Sequence, residues 1–156
     1  MRLKIDWQRP VTLKSGARDG LIYTLDLDAL PKAPGVYIFA RRWGKSYEAL
    51  YVGQSLRLRG RVKSHLNNLR LMRHLQEAKS GRRVVIVGQI RTRPGQQISK
   101  SLKTLERGFI RHFLSEGHDL VNKQGVRIRR HEIESEGPVP RSFIPSRMYL
   151  ERSKDT

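Results

Sequence analysis

The sequence predicts a mixed α/β domain, and three observations carry the prediction. Three short runs, 35–40, 49–53 and 84–90, are rich in β-branched and aromatic residues and read as strands. Three longer segments, 56–68, 70–79 and 98–115, repeat apolar residues at helical spacing. At 156 residues the chain is long enough for one domain with extensions and a modest core.

Residues 1–31 read as a leader, with a short strand at 21–24 and a turn of helix over 25–30. Pro31 and Pro34 then force extended backbone. Gly35-Val36-Tyr37 opens the first strand and Tyr51-Val52-Gly53 closes the second. A hairpin about Gly44 joins them most simply. Folded symmetrically, it sets Tyr37 opposite Tyr51, with both phenols on one sheet face. A one-residue slip would separate them.

Ser55 is the expected N-cap of the first helix, and Leu58, Val62, Leu66 and Leu69 form its buried stripe. Arg61 and His65, one turn apart, share one edge of that stripe; Arg59 and Lys63 share the other. The second helix buries Leu71, Leu75 and Ala78 and ends at Gly81. The third, 98–115, carries Ile98, Leu102, Leu105, Phe109, Ile110 and Phe113 on one arc, and Glu106 falls inside it. A strand is expected within 126–134, then a loop and tail from Gly137.

Thirty-two Lys and Arg against fourteen Asp and Glu give a net charge of +18. An excess of that size implies a polyanionic partner. Nucleic acid is favoured over a membrane, because Val84-Val85-Ile86-Val87 is the longest apolar run and is far too short to span. No signal peptide is legible at the N-terminus, so the expected compartment is the cytoplasm. The chain has no cysteine, which excludes disulfides, thiolate zinc sites and a cysteine nucleophile. Any metal would be a hard, oxygen-bound ion.

Each candidate residue has a bland reading beside the chemical one. A carboxylate in an apolar stripe costs several kcal/mol unless it is paired, protonated or metal-bound, so Glu106 is either an arginine partner or a Mg²⁺ ligand. Arg61 is either a solvated helix edge or a phosphate clamp. His65 either tethers a loop or acts as a general acid or base. Tyr37 and Tyr51 are either core aromatics or groups that position a water. Gly35 and Gly53 either need special backbone or admit a phosphodiester. Gly44-Lys45-Ser46 echoes a phosphate-binding loop, but Phe39 stands where that motif needs glycine.

Taken together, these residues resemble the GIY-YIG nuclease family. Gly35-Val36-Tyr37 and Tyr51-Val52-Gly53 match its two name motifs, with Val for Ile in each. Arg61 and His65 fit the arginine and histidine that follow, Glu106 the metal-binding glutamate, and Asn122 in Leu120-Val121-Asn122 the late asparagine. The resemblance covers about 33–125, so the organisation expected is an N-terminal extension (1–31), a nuclease-like domain (32–125) and a basic C-terminal extension (126–156). It implies a small central three-stranded antiparallel sheet flanked by helices. It also implies a divalent-metal-dependent endonuclease, a phosphodiester hydrolase, with Glu106 holding Mg²⁺ or Mn²⁺. Tyr37 would be the base, its pKa lowered by Arg61 and the metal, with Tyr51 and His65 assisting. Arg41, Arg42, Lys45, Arg57, Arg59 and Lys63 would track the DNA backbone. A non-catalytic nucleic-acid-binding module and a nuclease of structured RNA are the alternatives, and a homodimer is left open.

Overall fold

The computed structural model describes residues 2–121, 127–128 and 130–151. It is a mixed α+β fold with antiparallel pairing throughout its sheets and three α-helices among the described residues. In chain order the strands are β1 (Lys4–Trp7), β2 (Val11–Thr12), β3 (Lys14–Ser15), β4 (Tyr23–Thr24), β5 (Gly35–Trp43), β6 (Ser46–Ser55), β7 (Arg82–Arg91), β8 (Arg130–Glu134) and β9 (Arg147–Glu151). The helices are α1 (Leu58–His65), α2 (Leu69–Glu77) and α3 (Ile98–Ser115).

The main sheet has five strands, not the three expected. It runs β1-β7-β5-β6, and β2 also pairs with β7. Both added strands come from the leader, where only 21–24 was read as a strand. They are short and mostly exposed, and the polar–apolar alternation of Lys4-Ile5-Asp6-Trp7 runs for only four residues; backbone pairing along the β7 edge makes them strands. They also cover an edge that would otherwise invite a foreign strand. Trp7 then lies edge-on against Phe109 of α3, 5.2 Å between ring centroids.

The sheet divides the core into two layers. On one face Tyr37, Phe39, Tyr51, Val85 and Val87 pack with Leu58, Val62, Leu66, Leu71, Met72 and Leu75 of the α1–α2 region. On the other, Val36, Ile38, Ala40, Ala49, Val52 and Val84 meet Leu105, Phe109, Ile110, Phe113 and Leu114 of α3. The periodicity of α3 was read to the residue. Leu69, assigned to a buried stripe, is instead exposed at the start of α2. Asn68 caps that helix, its side chain accepting from Leu71 N at 3.1 Å.

The expected N-cap Ser55 lies two residues before the cap of α1, and its Oγ accepts from Arg57 N at 3.0 Å. The first free amides of α1 are met by backbone instead: Leu58 N donates to Ala33 O and Arg59 N to Pro31 O, each at 3.1 Å. The proline-bounded segment before β5 is therefore the cap of α1, and it ties the helix to the strand that carries Tyr37.

The β5–β6 connection is tighter than the loop expected. Trp43 pairs with Ser46, so the turn is Gly44-Lys45, with Gly44 at φ 57°. The pairing shifts by one between Phe39 and Ala40, because Leu50 is an extra residue in β6. Beyond this bulge Tyr37 faces Gly53, and Phe39 faces Tyr51. The expected Tyr37–Tyr51 pair is thus a diagonal neighbour rather than a direct one, and the shared face is retained. The bulge carbonyl of Leu50 accepts from Val121 N at 3.0 Å. At the other end of the chain, β8 and β9 form a separate hairpin, where a loop and tail had been expected after Gly137.

Glycine spacing sets a direct test of this packing. A Cβ at Gly35 would lie 2.0 Å from the Gly88 carbonyl oxygen, a backbone atom that cannot swing away. At Gly108 of α3 nothing lies within 4 Å. Gly35→Ala should lose roughly 3 kcal/mol or more by chemical denaturation, and Gly108→Ala should gain about 0.5–1 kcal/mol from helix propensity. Equal effects at the two sites would contradict the sheet packing.

Candidate functional site

Four elements bring the predicted residues together. The Tyr37 and Tyr51 rings stack on the sheet face under α1, 6.0 Å apart and inclined by 20°. His65, the last residue of α1, enters the same cluster, 5.3 Å from the Tyr37 ring and 5.0 Å from that of Tyr51. The Tyr37 hydroxyl and His65 Nε2 are 2.6 Å apart, a buried hydrogen bond. Phe39 closes the cluster edge-on to all three. Val62 and Leu66 are buried on the flanks of His65 in sequence, which seats the ring inward rather than toward solvent.

The motif glycines are explained by this packing. Gly53 lies opposite Tyr37 in the pairing, and a Cβ there would come within 2.3 Å of the Tyr37 hydroxyl. The ring therefore crosses β6 where β6 has no side chain. Neither Gly35 nor Gly53 has positive φ, so special backbone is not the reason for either. The protein's own atoms, not a phosphodiester, fill the space that a Cβ would take.

Burial governs the electrostatics. It pushes the Tyr37 hydroxyl far above the usual phenol pKa, and the neighbouring Tyr51 adds to the rise. Arg61 opposes both effects and loses. Tyr51 is also raised, first by burial and further by the charge of Glu106, against the opposing pull of Tyr37 and Arg61. His65 falls to about 4, mainly through burial and secondly through the Arg61 charge. Arg61 does lower the phenol, as expected, but burial outweighs it and the net shift is upward. At neutral pH both tyrosines are protonated and His65 is neutral, with Arg61 the exposed cation beside them.

Glu106 is 8% exposed on α3, and its charge reaches Tyr51. Among the described residues no group of three or more Asp, Glu, His or Cys is placed to hold a metal. A single carboxylate is nevertheless a sufficient protein ligand for Mg²⁺ when phosphate and water complete its shell. Glu106, a buried carboxylate, has the oxygen chemistry that such an ion takes. Asn122 lies outside the described residues.

The six cations expected to track DNA separate into two groups. Arg41 is turned inward: it binds Glu48 at 2.8 Å and the Ser80 carbonyl at 2.9 Å, and lies over the Trp43 ring at 3.8 Å. Arg59 is held by the Leu30 carbonyl at 2.8 Å and by Asp28 at 3.7 Å. Both are therefore engaged by acceptors within the protein. Arg42, Lys45, Arg57 and Lys63 are exposed. Arg42 and Lys45 sit at the hairpin tip, at least five strand residues or about 17 Å from Tyr37. A stripe missed in the sequence lies on α3, where Lys100, Lys103, Arg107 and Arg111 are all exposed. Its signal was spacing at three and four residues beside Glu106.

A cleft of about 800 Å³ lined by Glu48, His74, Glu77, Asp119, Arg127 and His131, among others, shares no residue with the cluster. Two of its carboxylates already have cations, Glu48 with Arg41 and Asp119 with Arg127 at 2.5 Å. No helix among the described residues is long and apolar enough to cross a membrane. Comparison with protein-family models, curated proteins and solved structures finds no match to the chain.

The buried histidine makes stability depend on pH with a definite sign. Unfolded, His65 titrates near 6.5; folded, near 4. Between those values the unfolded chain binds more protons, so stability is lost as pH falls through this window. Urea unfolding of wild type should show a drop between pH 7 and 4.5 that exceeds the drop in His65→Gln by about 2–3 kcal/mol. Identical acid dependence would mean His65 is not buried in its neutral form. The two phenols should also differ. Tyr37→Phe strands the His65 nitrogen and should destabilise by about 1–2 kcal/mol, whereas Tyr51→Phe, which leaves the Tyr37–His65 bond intact, should cost less. The opposite ranking by thermal unfolding would overturn the hydrogen-bond assignment.

Proposed function

We propose that the chain is a divalent-metal-dependent endonuclease of the GIY-YIG type, hydrolysing phosphodiester bonds in DNA. The observation that carries this reading is the convergence of Tyr37, Tyr51, Arg61, His65 and Glu106 from β5, β6, α1 and α3, on a chain of net charge +18. A binding module would account for the charge but gives no reason to bury a carboxylate whose charge reaches Tyr51.

Proton transfer follows from the electrostatics. A phenol with a raised pKa cannot wait as a free phenolate. With its own proton on Nδ1, neutral His65 accepts the Tyr37 O–H at Nε2. As the Tyr37 oxygen takes a proton from an attacking water, its own proton moves to His65, and no free phenolate forms. Arg61 binds the non-bridging phosphate oxygens and holds the charge that develops on them. Glu106 is the residue that would hold Mg²⁺. When bound there, the ion supplies Lewis-acid neutralisation of the phosphate and the departing oxygen. The exposed cations Arg57, Lys63, Lys103 and Arg107 supply backbone contacts whose strength depends on salt. Arg42 and Lys45 at the hairpin tip serve a duplex long enough to reach them.

Cleavage of supercoiled plasmid tests the reading. Wild type should nick or linearise DNA with Mg²⁺ and be inactive in EDTA. Glu106→Gln should lower turnover at least about 10³-fold, and Arg61→Ala about 10²–10³-fold, with circular dichroism unchanged. Cleavage of structured RNA alone would reassign the substrate. Tight, salt-sensitive binding without cleavage of either would leave a binding module.

A further inference from the structure

The tip of the β5–β6 hairpin sets an aromatic ring against a guanidinium on each of its faces. On one face the Arg41 guanidinium lies over the Trp43 ring, 3.8 Å from its centroid. On the other, Arg42 lies over the ring of its strand partner Tyr47, at 5.3 Å. Side chains alternate along β5, so Trp43 stands on the face that carries Tyr37, six residues or about 20 Å away. The bond from Arg41 to the Ser80 carbonyl, past the end of α2, agrees with that face.

The support beneath Trp43 is fixed. Arg41 is buried and is tethered by Glu48 and by the Ser80 carbonyl, at 2.8 and 2.9 Å. It covers one side of the indole, and Trp43 is still 42% exposed. The accessible area is therefore the other side of the ring and its edge. Its neighbours in the turn, Arg42, Gly44, Lys45 and Ser46, are exposed and offer no apolar patch.

Charge narrows what can lie there. Glu48 is the one acidic residue between 41 and 48, and Arg41 already binds it. Arg42 and Lys45 keep their charge, and Arg82, paired with Arg42 across β5 and β7, adds another exposed cation. An apolar protein segment would meet a single ring set among cations. A nucleotide brings a flat base to stack and a phosphate beside it, the combination that an exposed aromatic with flanking cations takes.

We propose that Trp43 is a stacking platform for an unpaired nucleobase of single-stranded DNA, with Lys45 and Arg42 binding the flanking phosphates. A duplex that reaches the tip meets the same two cations but offers the ring no free base face, because its bases are stacked on one another. The inference rests on the nucleic-acid part of the nuclease reading and not on the cleavage chemistry.

Tryptophan emission tests it, in EDTA so that no cleavage intervenes. Trp7→Phe leaves Trp43 as the only tryptophan. In that background an oligothymidylate of about 16 nucleotides should quench the emission, and a duplex of the same length should quench it little. Trp43→Ala should weaken binding of the labelled single strand, read by fluorescence anisotropy, about 5- to 150-fold, and binding of the duplex less than about twofold. Trp43→Leu, which keeps apolar bulk over Arg41 but not a flat ring, should lose nearly as much, with circular dichroism unchanged in both. Phe143→Ala, at an exposed ring outside the tip, should change neither affinity. An unquenched Trp43 at saturating oligonucleotide, or equal losses for single strand and duplex, would overturn the platform and leave the nuclease reading standing. Trp43-dependent binding without plasmid cleavage would uphold the platform and sink that reading. Failure to bind either form would overturn both.

Discussion

A two-residue turn at Gly44-Lys45 starts β5 and β6 in a register that, continued without interruption, would pair Tyr37 with Val52. Side chains alternate along a strand, so Tyr37 and Tyr51 would then point to opposite layers of the molecule. The extra residue, Leu50, corrects this. It shifts β6 by one and brings Tyr51 to the face of Tyr37. The rest of the candidate site depends on that shift. Only with both rings on one side can His65 contact both. Only after the shift does Gly53, with no Cβ, lie beneath the Tyr37 ring. The carbonyl freed at the bulge is taken up by Val121, which brings the end of the 116–121 segment beside Tyr51.

Burial then settles the protonation of the cluster. Arg61 pulls on both phenols and on His65, yet desolvation is the first cause of every shift. The outcome is neutral groups joined by a hydrogen bond, with charge confined to the exposed Arg61 and the buried Glu106. Such an arrangement stores no phenolate. It holds a proton acceptor ready on the far side of the Tyr37 oxygen, so that oxygen can accept one proton while releasing another.

Legibility in the sequence followed the strength of the local signal. The α3 helix was read to its ends because six apolar residues recur over five turns. The central strands were legible because each sits in a strong local pattern, whereas Tyr37, Tyr51, Arg61, His65 and Glu106 were singled out as a set by the resemblance to a family and not by any one local signal. Strands β1 and β2 were not, since their pairing comes from the exposed edge of β7 and not from their own residues. The bulge was invisible for a related reason: Leu50 looks like any other strand residue. The roles of Arg41 and Arg59 depended on acceptors distant in sequence, Ser80 and Leu30, which composition cannot supply. The β8–β9 hairpin was masked by the prolines between its strands and by side chains that stay exposed on both faces.

Charge is partitioned as sharply as the layers are. All of the excess lies outside 130–151, and the exposed stripe on α3 shows how it is displayed: one helix buries Leu102 and Glu106 while presenting Lys100, Lys103, Arg107 and Arg111 to solvent. A surface of this kind recruits a polyanion and repels its own copies at once. Self-association of so basic a chain therefore needs either a bridging polyanion or a segment from which the charge has been withdrawn.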